Sequence, residues 1–474
     1  MSHTNYNTMK QKLTKALLSI AAAALIITGC RKRDAIEADN FVVFESTAQG
    51  MTAAETSINV RLKLSRNTDR DIAVTINLGE QGVVYGTDYT TTPAATAGKL
   101  TVTVPSGNNE ASFTVTKANG VLFDGDEKIS FDLYSSAAPV FIGATKQFTL
   151  SFGEIVANNP ALTVNGGGVL FPNKVFIDLS ANRQTAVNRS TWDLGFYTGA
   201  DDFRVILNSS AAMMAKQINK NDLNAVTAAD TVGFSTEVAF NQFAPTTVSL
   251  PYIDYPNGDL TRTAIASISA NATDNKVYIV NRGLAPGSPA PARGWKKIRI
   301  IRNTSGGYNL QHADIAATSF SSIEIAKDDA YFFKYISFEN GIVPVEPQKK
   351  KWDLAWTYFS NVSNFGSGEV PYLFQDMMLQ NRNVQVVRVL SSTKAFADFA
   401  AADIAALTFN TSQISIGADW RSGGGPGVSP SVRTDRYYIV KDGDNNYYKL
   451  RFTALTTNGE RGYPAFEAVW LKKD

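Results

Sequence analysis

Two stretches of this chain repeat one another in order and in spacing, and that duplication limits the available folds more than any other feature. Trp192-Asp193-Leu194-Gly195-Phe196 matches Trp352-Asp353-Leu354-Ala355-Trp356. Val277-Tyr278-Ile279-Val280 matches Tyr437-Tyr438-Ile439-Val440, and 86 residues separate Trp192 from Tyr278 just as 86 separate Trp352 from Tyr438. Lys297-Ile298-Arg299-Ile300 then matches Lys449-Leu450-Arg451-Phe452. Upstream, Val175-Phe176-Ile177-Asp178-Leu179 parallels Tyr335-Ile336-Ser337-Phe338. One short β-unit hardly buries its apolar faces alone, so two copies predict two units packed face to face. They fall at about 170–330 and 331–474, within a domain spanning 160–474.

The fold class follows from periodicity. Ser57 to Leu64 reads S-I-N-V-R-L-K-L and Leu100 to Val104 reads L-T-V-T-V, an alternation that puts apolar side chains on one face of a strand. Short runs of this kind, broken by Gly, Asn, Asp and Pro, recur along the chain and predict an all-β protein. Thr393 to Leu407 is the exception, with Ala and Phe at a spacing that predicts one short helix.

Residues 1–29 read as an export signal. Lys10, Lys12 and Lys15 precede an apolar run from Ala16 to Ile27, too short to span a bilayer as a mature helix. Ile27-Thr28-Gly29-Cys30 then fits a lipoprotein cleavage site. Cys30 is the only cysteine, so lipidation there leaves no disulfide framework and no thiolate ligand. The expected location is the cell outer membrane, by a lipid anchor on Cys30, on either its extracellular or its periplasmic face. Residues 30–40, with Arg31-Lys32-Arg33, form a linker. Without the three leader lysines, 42 basic face 43 acidic side chains, which gives no electrostatic footprint for nucleic acid.

Residues 41–153 hold the order Phe41-Val42-Val43-Phe44-Glu45, Gly86-Thr87-Asp88-Tyr89, Gly98-Lys99-Leu100, Pro105-Ser106-Gly107 and Asp124-Gly125-Asp126-Glu127. This resembles a Calx-beta domain, and the resemblance implies an immunoglobulin-like β-sandwich. Some members of that family bind calcium through clustered carboxylates, so Glu45, Asp88, Asp124, Asp126 and Glu127 are the candidate oxygen ligands. Lys117-Ala118-Asn119 stands where a further acidic pair is expected, and Asp and Gly are also the residues of plain turns. The domain therefore reads as a spacer sooner than as a sensor.

The later region carries a second resemblance. Ser337-Phe338-Glu339-Asn340-Gly341, then Trp352-Asp353-Leu354, then Tyr437-Tyr438-Ile439-Val440-Lys441-Asp442-Gly443 and Tyr447-Tyr448-Lys449-Leu450-Arg451-Phe452 are similar to the HmuY family. The resemblance covers about 170–474. It implies an all-β haem-binding lipoprotein that delivers haem to an outer-membrane receptor, with haem iron held by paired histidines or methionines. His3 leaves with the leader and only His312 remains, so paired histidines are excluded within one chain.

The axial-ligand candidates are therefore Met213, Met214, Met377 and Met378, with His312 as a further one. Met213 lies 21 residues after Trp192 and Met377 lies 25 after Trp352, which predicts equivalent places in the two units. One sulfur from each unit would then clamp the iron and favour its ferrous state. Tyr197, Tyr358, Phe359 and Tyr372, with Phe365 and Phe374, are candidate pocket walls. Two other classes compete: a lipid-anchored surface protein binding a glycan or a partner protein without haem, and an enzyme. The enzyme reading lacks its parts, since no nucleophile triad forms without His312 and no zinc-type histidine cluster exists. Duplicated Asp193 and Asp353 read as structural.

Overall fold

The computed structural model describes residues 38–474 apart from 52–54, 120, 122, 124, 154–160 and 425–426. Cys30 and Asp124 lie outside the described residues. The chain is almost entirely β-structure. The stretch 393–407, expected as a helix, forms turns and a single 3-10 segment, Ala401–Ala406. Alternating strands build the first body as two five-stranded sheets. One holds Ser57–Leu64 between Asn40–Phe44 and Glu110–Lys117, and the other holds Lys128–Ser136 between Gln147–Phe152 and Ile72–Gln81. Their inner faces close over Phe44, Val60, Phe113, Phe131 and Phe148.

The duplicated region forms two halves, each a four-stranded sheet packed on a five-stranded one. In each half the Trp-Asp-Leu strand pairs antiparallel with the leading aromatic strand of the other repeat. Leu194–Tyr197 pairs with Phe333–Ser337, and Asn173–Asp178 pairs with Leu354–Asn364. The repeats are thus interleaved. One core gathers Leu194, Phe196, Tyr278, Ile298, Tyr308, Ile336 and Phe338, whereas the other joins Leu162, Val175 and Ile177 to Leu354, Trp356, Tyr438 and Leu450. The expected division at 330/331 is therefore corrected. Phe333–Ser337 belongs to the core built by residues 194–325, and Asn173–Asp178 to the C-terminal core. A strand buries its apolar face where its ladder partner lies, whichever repeat encodes it.

The two aspartates fix this exchange. Asp193 N–H donates to Ile336 O at 2.7 Å and its Oδ2 accepts from Phe338 N–H at 2.9 Å. Asp353 N–H donates to Ile177 O at 2.7 Å and its Oδ2 accepts from Leu179 N–H at 2.8 Å. Asn208 and Asn381 then brace the tryptophan carbonyls, with Nδ2 donating to Trp192 O at 2.8 Å and to Trp352 O at 2.9 Å. Between the halves lies a seam in which Trp192 meets Tyr335 edge-on at 4.8 Å and Trp352 meets Phe176 edge-on at 5.0 Å.

Candidate functional site

The four methionines do not converge. Met213 packs with Leu194 and Tyr278, Met214 with Leu223 and Ile279, Met377 with Phe359 and Leu379, and Met378 with Trp356 and Trp420. All four are at most 1 % exposed. Nor do the pairs occupy equivalent places. Met214 pairs with Asn281 beside the Ala215–Val280 pair, whereas Gln385 pairs with Lys441 beside the Val386–Val440 pair. Met214 therefore corresponds to Gln385. Met378 sits two residues before Gln380, the partner of Leu354, and so corresponds to Val205, two before Leu207, the partner of Leu194. The expectation of one inward sulfur per unit is corrected. Similar distances from the tryptophans conceal different strands, and adaptable thioethers fill core gaps here.

His312 lies in the strand Tyr308–Ala313 between Ile298 and Ser321, with its ring 5.3 Å from Phe338. Burial, reinforced by the Lys296 ammonium, pushes its imidazole below the usual histidine range.

The aromatic candidates separate into two places. Phe359 lines a cleft at the inter-repeat seam, together with Trp192, Trp352, Tyr335, Lys174, Glu346 and Asp254. Tyr197 packs near it against Phe333, tilted and 5.6 Å away, with the Arg382 guanidinium 5.6 Å from its ring. The cleft has about 80 Å³ open to water. That is room for roughly five to eight water molecules, several times too little for a porphyrin.

Tyr372 lies elsewhere, on the long hairpin formed by Leu354–Asn364 and Glu369–Gln380. The hairpin turns at residues 365–368, so Phe365 stands exposed beyond the last ladder pair. Tyr372 and Phe374, two residues apart, share one face of their strand. Phe365, Tyr372 and Phe374 form an edge-to-face row with centroids 5.4 and 5.5 Å apart. Gln242 clasps Leu373 through both its amide atoms, at 2.8 and 3.1 Å, which brings fully exposed Phe243 to the hairpin edge. Exposed Val248 follows in the 3-10 segment Thr247–Tyr252, which packs on the same strand. Tyr358 is half-buried at the hairpin base, between the Phe171 ring at 6.2 Å and the Arg189 guanidinium at 5.1 Å. Sequence reasoning proposed Tyr372 as a wall but gave no means of seeing the exposed row around it.

The acidic candidates of the first sandwich are met by cations of the later region. Asp88 Oδ1 accepts from Arg183 Nη2 at 3.0 Å, and its Oδ2 accepts from Val84 N–H at 2.8 Å. Asp126 and Glu127 share the Lys351 ammonium, Glu127 at 3.1 Å. Glu45 stands apart, half-exposed and 3.8 Å from Arg61. The described residues contain no group of three or more metal-binding side chains. Asp88, Asp126 and Glu127 thus form a junction between bodies, in keeping with the reading of this domain as a spacer.

A family model described as HmuY protein matches residues 171–467. No curated protein matches. Among solved structures, the apo Calx CBD1 domain is 17% identical over 24% of this chain and 97% of that one, with a TM-score of 0.21. A two-domain Bacteroides fragilis protein of unknown function is 9% identical over 64% and 85%, with a TM-score of 0.19. A proposed carbohydrate-binding protein of Bacteroides ovatus is 10% identical over 72% and 98%, with a TM-score of 0.18. Likenesses this distant carry no argument about the site.

Proposed function

The chain belongs to the HmuY family over residues 171–467, and from that premise we propose that it binds haem on the aromatic face of the Leu354–Asn364/Glu369–Gln380 hairpin. The observation that carries the placement is the row Phe365–Tyr372–Phe374, flanked by Phe243 and Val248. A porphyrin is a flat apolar disc, and edge-to-face rings offer it a matching surface. A tyrosine is also one of the side chains that hold haem iron, and the Tyr372 hydroxyl has no hydrogen-bond partner among the described residues. The buried methionines have no part in this site. The lipid anchor on Cys30, placement at the outer membrane and delivery to an uptake receptor belong to the same reading. They rest on the 27–30 motif and on family resemblance. Binding and delivery, without catalysis, is the role proposed.

Titration with haemin under oxidising and reducing conditions tests this. An anionic phenolate favours ferric iron, whereas paired thioethers favour ferrous iron. We expect a saturable one-to-one spectrum with ferric haem, weakened by reduction, altered by Tyr372→Phe and weakened by Phe365→Ala. Replacing both members of either methionine pair by leucine is expected to leave it unchanged. A spectrum that tightens on reduction and disappears with the methionines would reject the hairpin site. Absence of any specific spectrum would reject haem binding.

A further inference from the structure

The first sandwich carries exposed aromatic side chains at the end away from the later region. Lys128–Ser136 starts beside Asp126 and Glu127, which hold Lys351, and Lys128 pairs there with Ser151 in the strand that leads out of the sandwich. It runs nine residues, roughly 25 Å, to the opposite end. There the Ser136 hydroxyl donates to Val140 O at 2.5 Å. The short strand Val140–Ile142 lies parallel to Asn40–Phe44, with Phe141 opposite Phe41. Asn40–Phe44 begins at this end, so the chain coming from Cys30 enters the body here.

Phe41, Phe141 and Tyr134 are 39, 54 and 58 % exposed. Single exposed apolar residues need no explanation, but a contiguous group marks a contact surface. The Phe41 and Phe141 rings are 6.2 Å apart, and with Tyr134, Val43, Leu133 and Ile142 they line one shallow groove. Cations border it and no carboxylate among the described residues lines it. Lys146 has no ion-pair partner among the described residues, and the Lys99 ammonium lies 4.3 Å from the Tyr134 ring centre.

The tether says what meets this groove. Cys30 lies 11 residues before Phe41, a reach of at most roughly 40 Å. A lipid on Cys30 therefore keeps this end beside the bilayer, at the millimolar effective concentration that a short linker gives. A contact too weak to hold a free protein is then enough. Aromatic rings suit the headgroup level of a bilayer, and basic side chains are drawn to anionic headgroups.

We propose that this end of the first sandwich is a membrane-contact face. Phe41, Phe141 and Tyr134 seat at the headgroup level of the phospholipid bilayer, while Lys146 and Arg31-Lys32-Arg33 meet its anionic lipids. The later region, joined at the opposite end through Lys351, is thereby held off the lipid. The inference rests on the Cys30 anchor of the preceding reading and is independent of haem.

Because Cys30 is the sole cysteine, the chain from Cys30 onward couples through it to a maleimide headgroup in vesicles of phosphatidylethanolamine and phosphatidylglycerol. Hydroxyl-radical footprinting then reads side-chain exposure directly. We expect oxidation of Phe41, Tyr134 and Phe141 to fall at least about threefold on the vesicles, with Phe243 and Phe365 of the later region unchanged. Phe41→Ser/Phe141→Ser, at exposed positions that leave the core intact, is expected to restore Tyr134 oxidation while the protein still melts cooperatively. No protection, equal protection of Phe365, or Tyr134 protection that survives the double substitution would each overturn the proposal. Protection that appears only when the coupled chains are crowded would assign the groove to a second copy and overturn it too. The N-terminal peptide of the exported chain tests the anchor separately: a missing acyl mass would reject that reading, whereas the vesicles carry their own lipid.

Discussion

Asp193 grips Arg282 at two points, Oδ1 to Nε at 2.9 Å and Oδ2 to Nη2 at 3.0 Å, while the same carboxylate caps the strand exchanged from the other repeat. Arg293 Nη2 adds a contact at 2.8 Å, and Asp193 is fully buried. Its repeat counterpart Asp353 makes the same backbone bonds, with no ion-pair partner among the described residues. Burial, with Asp442 and Asp178 nearby, holds the Asp353 carboxyl well above its usual range.

This difference predicts unequal costs for one substitution. Asp193→Asn leaves buried Arg293 without its carboxylate and Arg282 with Glu339 alone, and is expected to cost about 3 kcal/mol. Asp353→Asn replaces a carboxyl whose charge burial already disfavours and is expected to cost under about 1 kcal/mol. Urea unfolding measures both, and equal losses would disprove the asymmetry.

Asp254 sets a pH dependence. Its carboxyl is pushed up to about 7 by burial, against a usual value of 3.8, so the folded chain holds this proton where the unfolded chain has lost it. Stability from this group is complete below about pH 4 and is lost as pH rises towards and through about 7. The expected loss is about 4 kcal/mol. Asp254→Asn should flatten that part of the stability–pH curve, and an unchanged slope would assign the effect elsewhere.

The methionines are expected to behave as core. Met377→Leu or Met214→Leu should cost less than about 1.5 kcal/mol, and either alanine variant about 2–5 kcal/mol. Thermal unfolding reads the difference. A leucine variant as damaging as alanine would show that the sulfur itself matters.

Lys351 joins the two bodies through Asp126 and Glu127, the latter 1 % exposed. Lys351→Met is expected to cost about 2 kcal/mol and to separate the unfolding of the first sandwich from that of the later region, with Lys351→Arg retaining most of the coupling. Coincident transitions in Lys351→Met would place the coupling in other contacts.

Local pattern carries some parts of this protein and is silent on others. Alternation alone marked Ser57–Leu64 as a strand, because a two-residue period decides which side chains reach the core whatever lies opposite. The doubled Trp-Asp-Leu strand was legible too, and with it the structural role of Asp193 and Asp353. The interleaving was not. A strand's partner depends on where chain segments meet after long connections, so the repeat boundary drawn from sequence cut each core at the wrong strand. Distance along the chain likewise made Met213 and Met377 look equivalent, although Met377 lies within the Glu369–Gln380 strand and Met213 just before the strand Met214–Gln217. Lys174, Trp192 and Trp352 carry no motif that joins them. Only the packing of one half against the other brings them to one cleft, because burial is a property of the assembled chain.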